Sequence, residues 1–195
     1  MADRAALTDS PVSPEDAAAL IRGRRTIDRF KPGEVPETAL IHEAIELARW
    51  APNHHRTEPW RFCLIGERTK TRIIDLNSRL LTASRGAEVA EAKRERWQSM
   101  PGWLAINCIS NDDPITARED YAACACAVQN LMLYLHSAGV GTKWASGAVT
   151  REPEFLELLG AQSGEYCVGL IWYGYAQRRP RSQRQSVDHI VRTLD

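Results

Sequence analysis

The sequence has no charge of one sign to spare: Lys plus Arg number 25 and Asp plus Glu number 25 in 195 residues. Without a net field, the long-range attraction that marks nucleic-acid and membrane-surface proteins is missing, so neither partner is expected. No apolar run approaches the ~20 residues of a membrane span. Residues 1–14 carry Asp3 and Asp9 and lack a continuous apolar stretch, which argues against a secretory signal and a transit peptide alike. The cysteines, Cys63, Cys108, Cys124, Cys126 and Cys167, form no CxxC pair and leave one over. That pattern fits reduced thiols better than a disulfide framework, and cytoplasm is the expected compartment.

Several chemical signatures are missing too. There is no GxSxG elbow and no HExxH helix, so serine hydrolase and zinc protease readings have nothing specific behind them. Gly139-Val140-Gly141 lacks the third glycine of a dinucleotide fingerprint and closes a helical segment instead of opening one. His54 and His55 are adjacent, a spacing that points side chains apart, and no cysteine, histidine or acid nearby completes a ligand set. No metal is expected. Cys124 and Cys126, two apart on a helical segment, face different directions and read as small core residues, not a redox pair.

What is present suits one globular domain: 44% of residues are hydrophobic, enough for a single well-filled core. Residues 1–12 read as a flexible tail and 13–195 as the domain, with a C-terminal extension from about 176. Ser13-Pro14-Glu15-Asp16 is a helix start, with a capping hydroxyl, Pro in the first turn and acids on the positive dipole end. That helix runs to about Gly23. A second starts at Pro36 and carries Leu40, Ile41, Ala44, Ile45, Leu47 and Ala48 on a broad apolar face up to Trp50, where Ala51-Pro52 stops it.

Trp60–Ile65 and Trp103–Ile109 read as strands, with helical spacing over 67–81 and 86–97 between them. The segment 86–97 is polar enough to be either a lid or a solvated excursion. Ile115–Ala138 is the longest helical segment, ended by Gly139, and reads as the central buried helix. A strand over 141–146, a short helix from Thr150 to Leu159 and a buried strand over 166–175 follow. The tail beyond carries Arg178, Arg179, Arg181 and Arg184, then regains Val187, Ile190, Val191 and Leu194, a composition that asks for another surface to cover it.

Two motifs carry chemistry. Arg24-Arg25-Thr26 sets two guanidiniums beside a hydroxyl where one helix ends and the next has not begun; this is a phosphate cradle or a solvated basic turn. Ala51-Pro52-Asn53-His54 through Glu58-Pro59-Trp60 is a Pro-broken, donor-rich loop able to wrap a planar, polar-edged ring, and His54 is either a ring contact or an exposed loop histidine. Six tryptophans are present; Trp50, Trp60 and Trp144 fall beside these motifs, and Trp60, which opens a strand, reads as core.

Taken in order, these segments resemble the nitroreductase family of FMN-dependent oxidoreductases, particularly its compact single-domain bacterial members. Arg24-Arg25-Thr26 matches an Arg-Arg-Ser opening with Thr for Ser. Ala51-Pro52-Asn53 followed by Glu58-Pro59-Trp60 matches a helix end followed by Gln-Pro-Trp, and Gln129-Asn130-Leu131-Met132-Leu133 before Gly139-Val140-Gly141 matches a third signature. The likeness spans Arg24 to about Pro180. It implies an α+β fold with a central, mostly antiparallel sheet flanked by helices, in an intertwined homodimer with FMN at the subunit interface.

The resemblance also implies roles. Arg24, Arg25 and Thr26 hold the FMN phosphate and ribityl chain, and Arg179 and Arg181 close on the phosphate. Trp50 and His54 contact the flavin, Trp144, Ala145 and Ser146 approach the ring by their backbone, and Gly147 presents an N–H near flavin N5. A nicotinamide and acceptor region runs over Tyr134, Leu135, His136, Ser137, Ala138 and Gly139. No side chain is implied as a catalytic acid. NADH or NADPH reduces the cofactor and leaves, and a small nitroaromatic, quinone or similar acceptor takes the electrons. Other flavin chemistry, such as a dehydrogenation, or flavin binding without turnover are the alternatives. Two positions depart from the family pattern: Asp28 stands where a third arginine is common, and Trp50 where relatives carry arginine.

Overall fold

The computed structural model describes residues 12–194; the expected tail, apart from Val12, lies outside them. Four strands form one antiparallel sheet in the order β1-β2-β4-β3: β1 (Trp60–Leu64), β2 (Gly102–Ile109), β4 (Glu165–Gly174) and β3 (Gly141–Ala145). Helices cover both faces, so the fold is α+β as expected. Because side chains alternate across a strand, β2 sends Leu104, Ile106 and Cys108 to one core and Trp103 and Ala105 to the other. Both β2 and β4 are nearly continuous apolar runs because both of their faces are covered.

The first core lies under α2 (Thr38–Ala48) and α5 (Pro114–Ser137). α5 buries one stripe, Ala123, Cys124, Ala127, Val128, Leu131, Met132 and Leu135, at helical spacing. Cys126 is exposed; of the two neighbouring cysteines only Cys124 is a core residue, since two positions turn the side chain through more than half a revolution. The second core lies under α3 (Glu67–Arg85), α4 (Ala87–Gln98) and α6 (Pro153–Leu158). Its centre is a cluster of Trp97, Trp103 and Trp172, with ring centroids 5.4–5.7 Å apart in edge-to-face contact. These pairs add to simple burial.

Several boundaries differ from the sequence reading for identifiable reasons. α1 (Pro14–Gly23) starts as expected, with the Ser13 hydroxyl accepting from the Asp16 N–H at 3.0 Å. α2 begins two residues after Pro36, at Thr38, and ends before Trp50. α3 continues to Arg85, because Gly86, at φ 89°, is the residue that turns the chain into α4. The turn at Ala148–Arg151 is a 3₁₀ helix and α6 starts only at Pro153, a residue suited to a first turn. α4 is no solvated excursion: Ala90 and Trp97 are buried, and Trp97 joins the tryptophan cluster.

β3 is an edge strand. Its inner side pairs with β4, while on its outer side the bridge between Thr26 and Thr142, with the Ile27 N–H donating to the Thr142 carbonyl at 2.9 Å, covers only its first half. Gly141 permits that approach, since a Cβ there would lie 2.6 Å from Ile27 Cγ1. The remaining edge, toward Ala145, has no strand partner among the described residues. Such an edge is normally covered by something.

Candidate active site

The chain leaves α1 at Gly23 and is held against β3 by the Thr26 bridge, which brings Arg24 and Arg25, both half-buried, beside the end of α5. There they line a small hollow with His136, Gly139, Thr142 and Arg179. An adjoining groove of 470 Å³ shares Arg24 and Arg25 and adds Gln129, Ser182 and Arg184. Burial and then the charges of Arg184 and Arg25 lower Arg24. Burial and then Arg179, Arg24 and Arg25 lower His136. Among the described residues no carboxylate pairs with any of these arginines, and the buried Thr142 hydroxyl has no partner. Arg25 donates to the Arg22 and Arg24 carbonyls, so the hollow gathers cations that lack a carboxylate around an unpartnered hydroxyl.

Toward its other end β3 passes into a cleft of 710 Å³. Its walls are Trp144–Ala148 on one side, Asn77, Leu80, Leu81, Ser84 and Arg85 of α3 and Lys93, Arg96 and Trp97 of α4 on the other, with Lys143 and Trp172 at its floor. Trp144 turns its indole to the opposite face of the sheet, where it lies over Gly169 and donates to the Val168 carbonyl at 3.4 Å. A Cβ on Gly169 would sit 2.0 Å from Trp144 Nε1, so glycine is required there. Trp144 therefore meets the cleft with its backbone.

Asp28 ties these parts together. Its Oδ1 accepts from Lys143 Nζ on β3 and from Arg96 Nη2 on α4, the latter at 3.2 Å. The hydrogen bond from Lys143 is the main cause holding its carboxyl below the ordinary 3.8. It lines a neighbouring hollow with Arg29 and Gln177 and belongs to neither the arginine hollow nor the cleft. Asp28 thus spends its charge on Lys143 and Arg96 and leaves Arg24 and Arg25 uncompensated.

The loop 53–58 lies elsewhere, against the first half of α5. The Asn53 side chain accepts from the Glu58 N–H at 2.7 Å and donates to the Thr57 hydroxyl at 3.0 Å, and Thr57 donates to the buried Asp120 carboxylate. His55, Arg56 and Glu58 are held at φ 59°, 53° and 45°, a conformation costly for non-glycine residues and common in functional loops. His54 pairs with Glu119 at 2.8 Å, and its ring stacks on His55 at 3.8 Å where divergent side chains were expected. Trp50 is 75% exposed. From Glu119 to His136 along α5 is roughly 25 Å at the helical rise, so one small ligand cannot touch His54 and the arginine hollow of the same subunit.

The structure thus brings together Arg24, Arg25 and Arg179 in one place and Trp144, Ala145, Ser146 and Gly147 in another, along one strand. Thr26 makes the bridge to β3. Arg181 lines neither hollow; Arg184, three residues on, lies where a second tail arginine was expected. Of the Tyr134–Gly139 segment, Leu135 is fully buried in the core, Ser137 donates to the Tyr134 carbonyl at 2.7 Å, Ala138 caps α5, and His136 and Gly139 face the arginines. Sequence reasoning missed Arg184, Thr142, Lys143 and the α3–α4 cations. Strand alternation could have found Lys143, which pairs across the sheet with Trp172. Burial pushes the thiols of Cys63 and Cys167 up, the latter to about 12, so neither is poised as a nucleophile. Among the described residues no three His, Cys, Asp or Glu side chains gather as a metal site, and no helix is long and apolar enough to cross a membrane.

A sequence profile of the nitroreductase family matches residues 21–175. The chain belongs to the nitroreductase family. Within the family it is 30% identical over 172 residues to the Bacillus subtilis protein designated NAD(P)H nitroreductase YfhC, covering 86% of this chain and 88% of that one. A nitroreductase-like family protein from Bacillus cereus superposes with a TM-score of 0.81 at 30% identity, covering 94% of this chain and 98% of the other. The FMN-dependent nitroreductase NfnB from Mycobacterium smegmatis, solved with NADPH, shares the nitroreductase fold with a TM-score of 0.72 at 18% identity, over 92% and 98% of the two chains.

Proposed function

We propose that the protein is an FMN-dependent oxidoreductase that takes electrons from NADH or NADPH and delivers them to nitroaromatic, quinone or similar electron-poor acceptors. One observation carries this reading: β3 joins a hollow ringed by arginines to a cleft along which the strand's edge is uncovered. From Gly141, in the hollow, to Ala145, in the cleft, is roughly 13 Å at the rise of a strand. A ligand with a phosphate at one end and a flat ring at the other fits that layout. Family membership and relatives that use FMN and NADPH support it.

Arg24, Arg25, Arg179 and Arg184, with Thr26 and Thr142, would hold the phosphate and the adjoining chain. The backbone of Trp144, Ala145, Ser146 and Gly147 would hold the ring edge, where β3 ends and the Gly147 carbonyl is fixed by the Thr150 N–H and hydroxyl. When bound, FMN supplies two-electron transfer between a reduced nicotinamide and an acceptor, chemistry that asks no acid or base of the chain. The protein's own work is to position and to exclude water, and α4, anchored through Trp97, walls the cleft on its outer side. His136 and Gly139 serve the phosphate end, and the nicotinamide and acceptor share the cleft.

His54, paired with Glu119 far along α5 from the arginine hollow, would reach the same cofactor only from a second copy. This supports a homodimer with the cofactor at its interface, as do Val187, Ile190, Val191 and Leu194, which are 57–88% exposed on a tail with no covering surface among the described residues. Steady-state rates measured while varying NADH or NADPH at several fixed acceptor concentrations test the reading. Parallel double-reciprocal lines are expected from a ping-pong cycle. A bound flavin that stays oxidised under anaerobic NADH and NADPH would contradict turnover.

A further inference from the structure

We propose that the cleft between α3, α4 and β3 selects acceptors that carry a negative charge, an aromatic carboxylate being the simplest, with Arg85 and Lys93 as the selecting cations. The inference rests on the assignment of this cleft to ring and acceptor made above. In a chain of balanced charge, Arg85, Lys93, Arg96 and Lys143 line the cleft and no carboxylate does. A local excess of this kind focuses potential where low-dielectric walls surround it.

The cations are not equivalent. Lys143 and Arg96 donate to Asp28, which lies outside the cleft, and on the same helices Arg94 pairs with Asp75 and Arg79 with Glu154. Arg85 and Lys93 have no carboxylate partner among the described residues. Lys93 is half-buried, with its Nζ 5.9 Å from the centre of the Trp97 ring. Burial and then the charges of Arg96, Lys143 and Arg85 lower its pKa, which marks a place where another positive charge is resisted and an anion brings relief.

The rest of the wall is donor-rich as well. Asn77 Nδ2, Trp97 Nε1 and Trp172 Nε1 are buried without an acceptor, and all three residues line the cleft. Leu80 and Leu81, both half-buried, offer apolar surface to a flat ring. A neutral acceptor would use that surface and leave the two cations unanswered; an aromatic carboxylate would use both.

Calorimetric titration of the purified protein with para-nitrobenzoate and para-nitrobenzamide, nearly isosteric and different in charge, tests this. The carboxylate is expected to bind about tenfold tighter at low salt, from two partly screened charge contacts, with the preference shrinking as salt rises. Arg85→Met combined with Lys93→Met should bring the carboxylate to the affinity of the amide. The amide's own affinity should stay within about twofold, which also reports an intact cleft. Equal affinities in the unsubstituted protein overturn the proposal, and so does a preference that survives the double substitution. The visible spectrum of the same sample separates the two readings. A flavin-loaded protein without the preference contradicts the selectivity alone, whereas a colourless protein contradicts the cofactor assignment while the titration still scores the charge preference of the cleft.

Discussion

At the Gly141 end of β3, Arg24, Arg25, Arg179 and Arg184 converge with no carboxylate among the described residues to answer them. At the Ala145 end, Lys143 and Arg96 share Asp28, and Lys93 lies against an indole. Unpaired guanidiniums around a small hollow suit a ligand that brings its own multiple charge. Partly compensated cations beside aromatic walls suit a flat ring whose surroundings must stay dry. The same strand therefore carries two different electrostatic settings, and Asp28, one of the two departures from the family's pattern, pairs with cations of the second alone.

The largest expected effect breaks the cleft end alone. Trp97→Ala removes the indole that locks α4 to Trp103 and Trp172 and should cost about 3–5 kcal/mol of stability, read as a lower midpoint in urea. Where folded protein remains, the ring end should weaken and the arginine end persist, because Trp97 lines the cleft and not the arginine hollow. Equal loss at both ends would mean that the two are not separable. Asp28→Asn sharpens the comparison with a smaller effect. Its ion pairs are half-exposed, so the stability change should be at most about 1 kcal/mol, while hydrogen exchange in α4 should rise and in α1 stay fixed.

The smallest effect is a pH dependence at the arginine end. His136 is held below its ordinary 6.5 by burial and the surrounding arginines. A base with a depressed folded-state pKa is protonated first in the unfolded chain. Stability of the flavin-free protein is therefore full above about pH 6.5, falls as pH drops below that value, and levels once the folded-state pKa is passed. His136→Gln should flatten that part of the pH–stability curve; an unchanged slope would show that His136 does not feel the arginines.

Much of this was legible in the residues. The capping pattern at Ser13 and the apolar runs of β2 and β4 were read from the residues, and the order of motifs from Arg24 to Gly141 carried the family resemblance that implied the α+β sheet and pointed to Arg24, Arg25, Arg179 and the 144–147 backbone. What was not legible depends on facing rather than on type. Lys143 and Arg96 lie far apart in sequence and meet only through Asp28, so the residue that stands where a third arginine is common pairs with β3 and α4 and lines neither the arginine hollow nor the cleft. Trp144 stands beside the site motifs in sequence, yet it pairs with Ile171, and strand alternation puts its indole on the face of the sheet opposite the cleft. The polar surface of α4 concealed one buried anchor, Trp97. Arg181 and Arg184 are chemically alike, and only the path of the tail decides which of them meets Arg24.

The most direct test is a titration of flavin-free protein with FMN and with riboflavin, which lacks the phosphate, run on the native chain and on Arg24→Ala. If the two ends of β3 recognise phosphate and ring separately, FMN should bind about a hundredfold tighter than riboflavin, as two charge-assisted contacts would give. Arg24→Ala should remove about tenfold of that difference and leave riboflavin unchanged. Riboflavin binding as tightly as FMN, or Arg24→Ala weakening both flavins alike, would contradict the account.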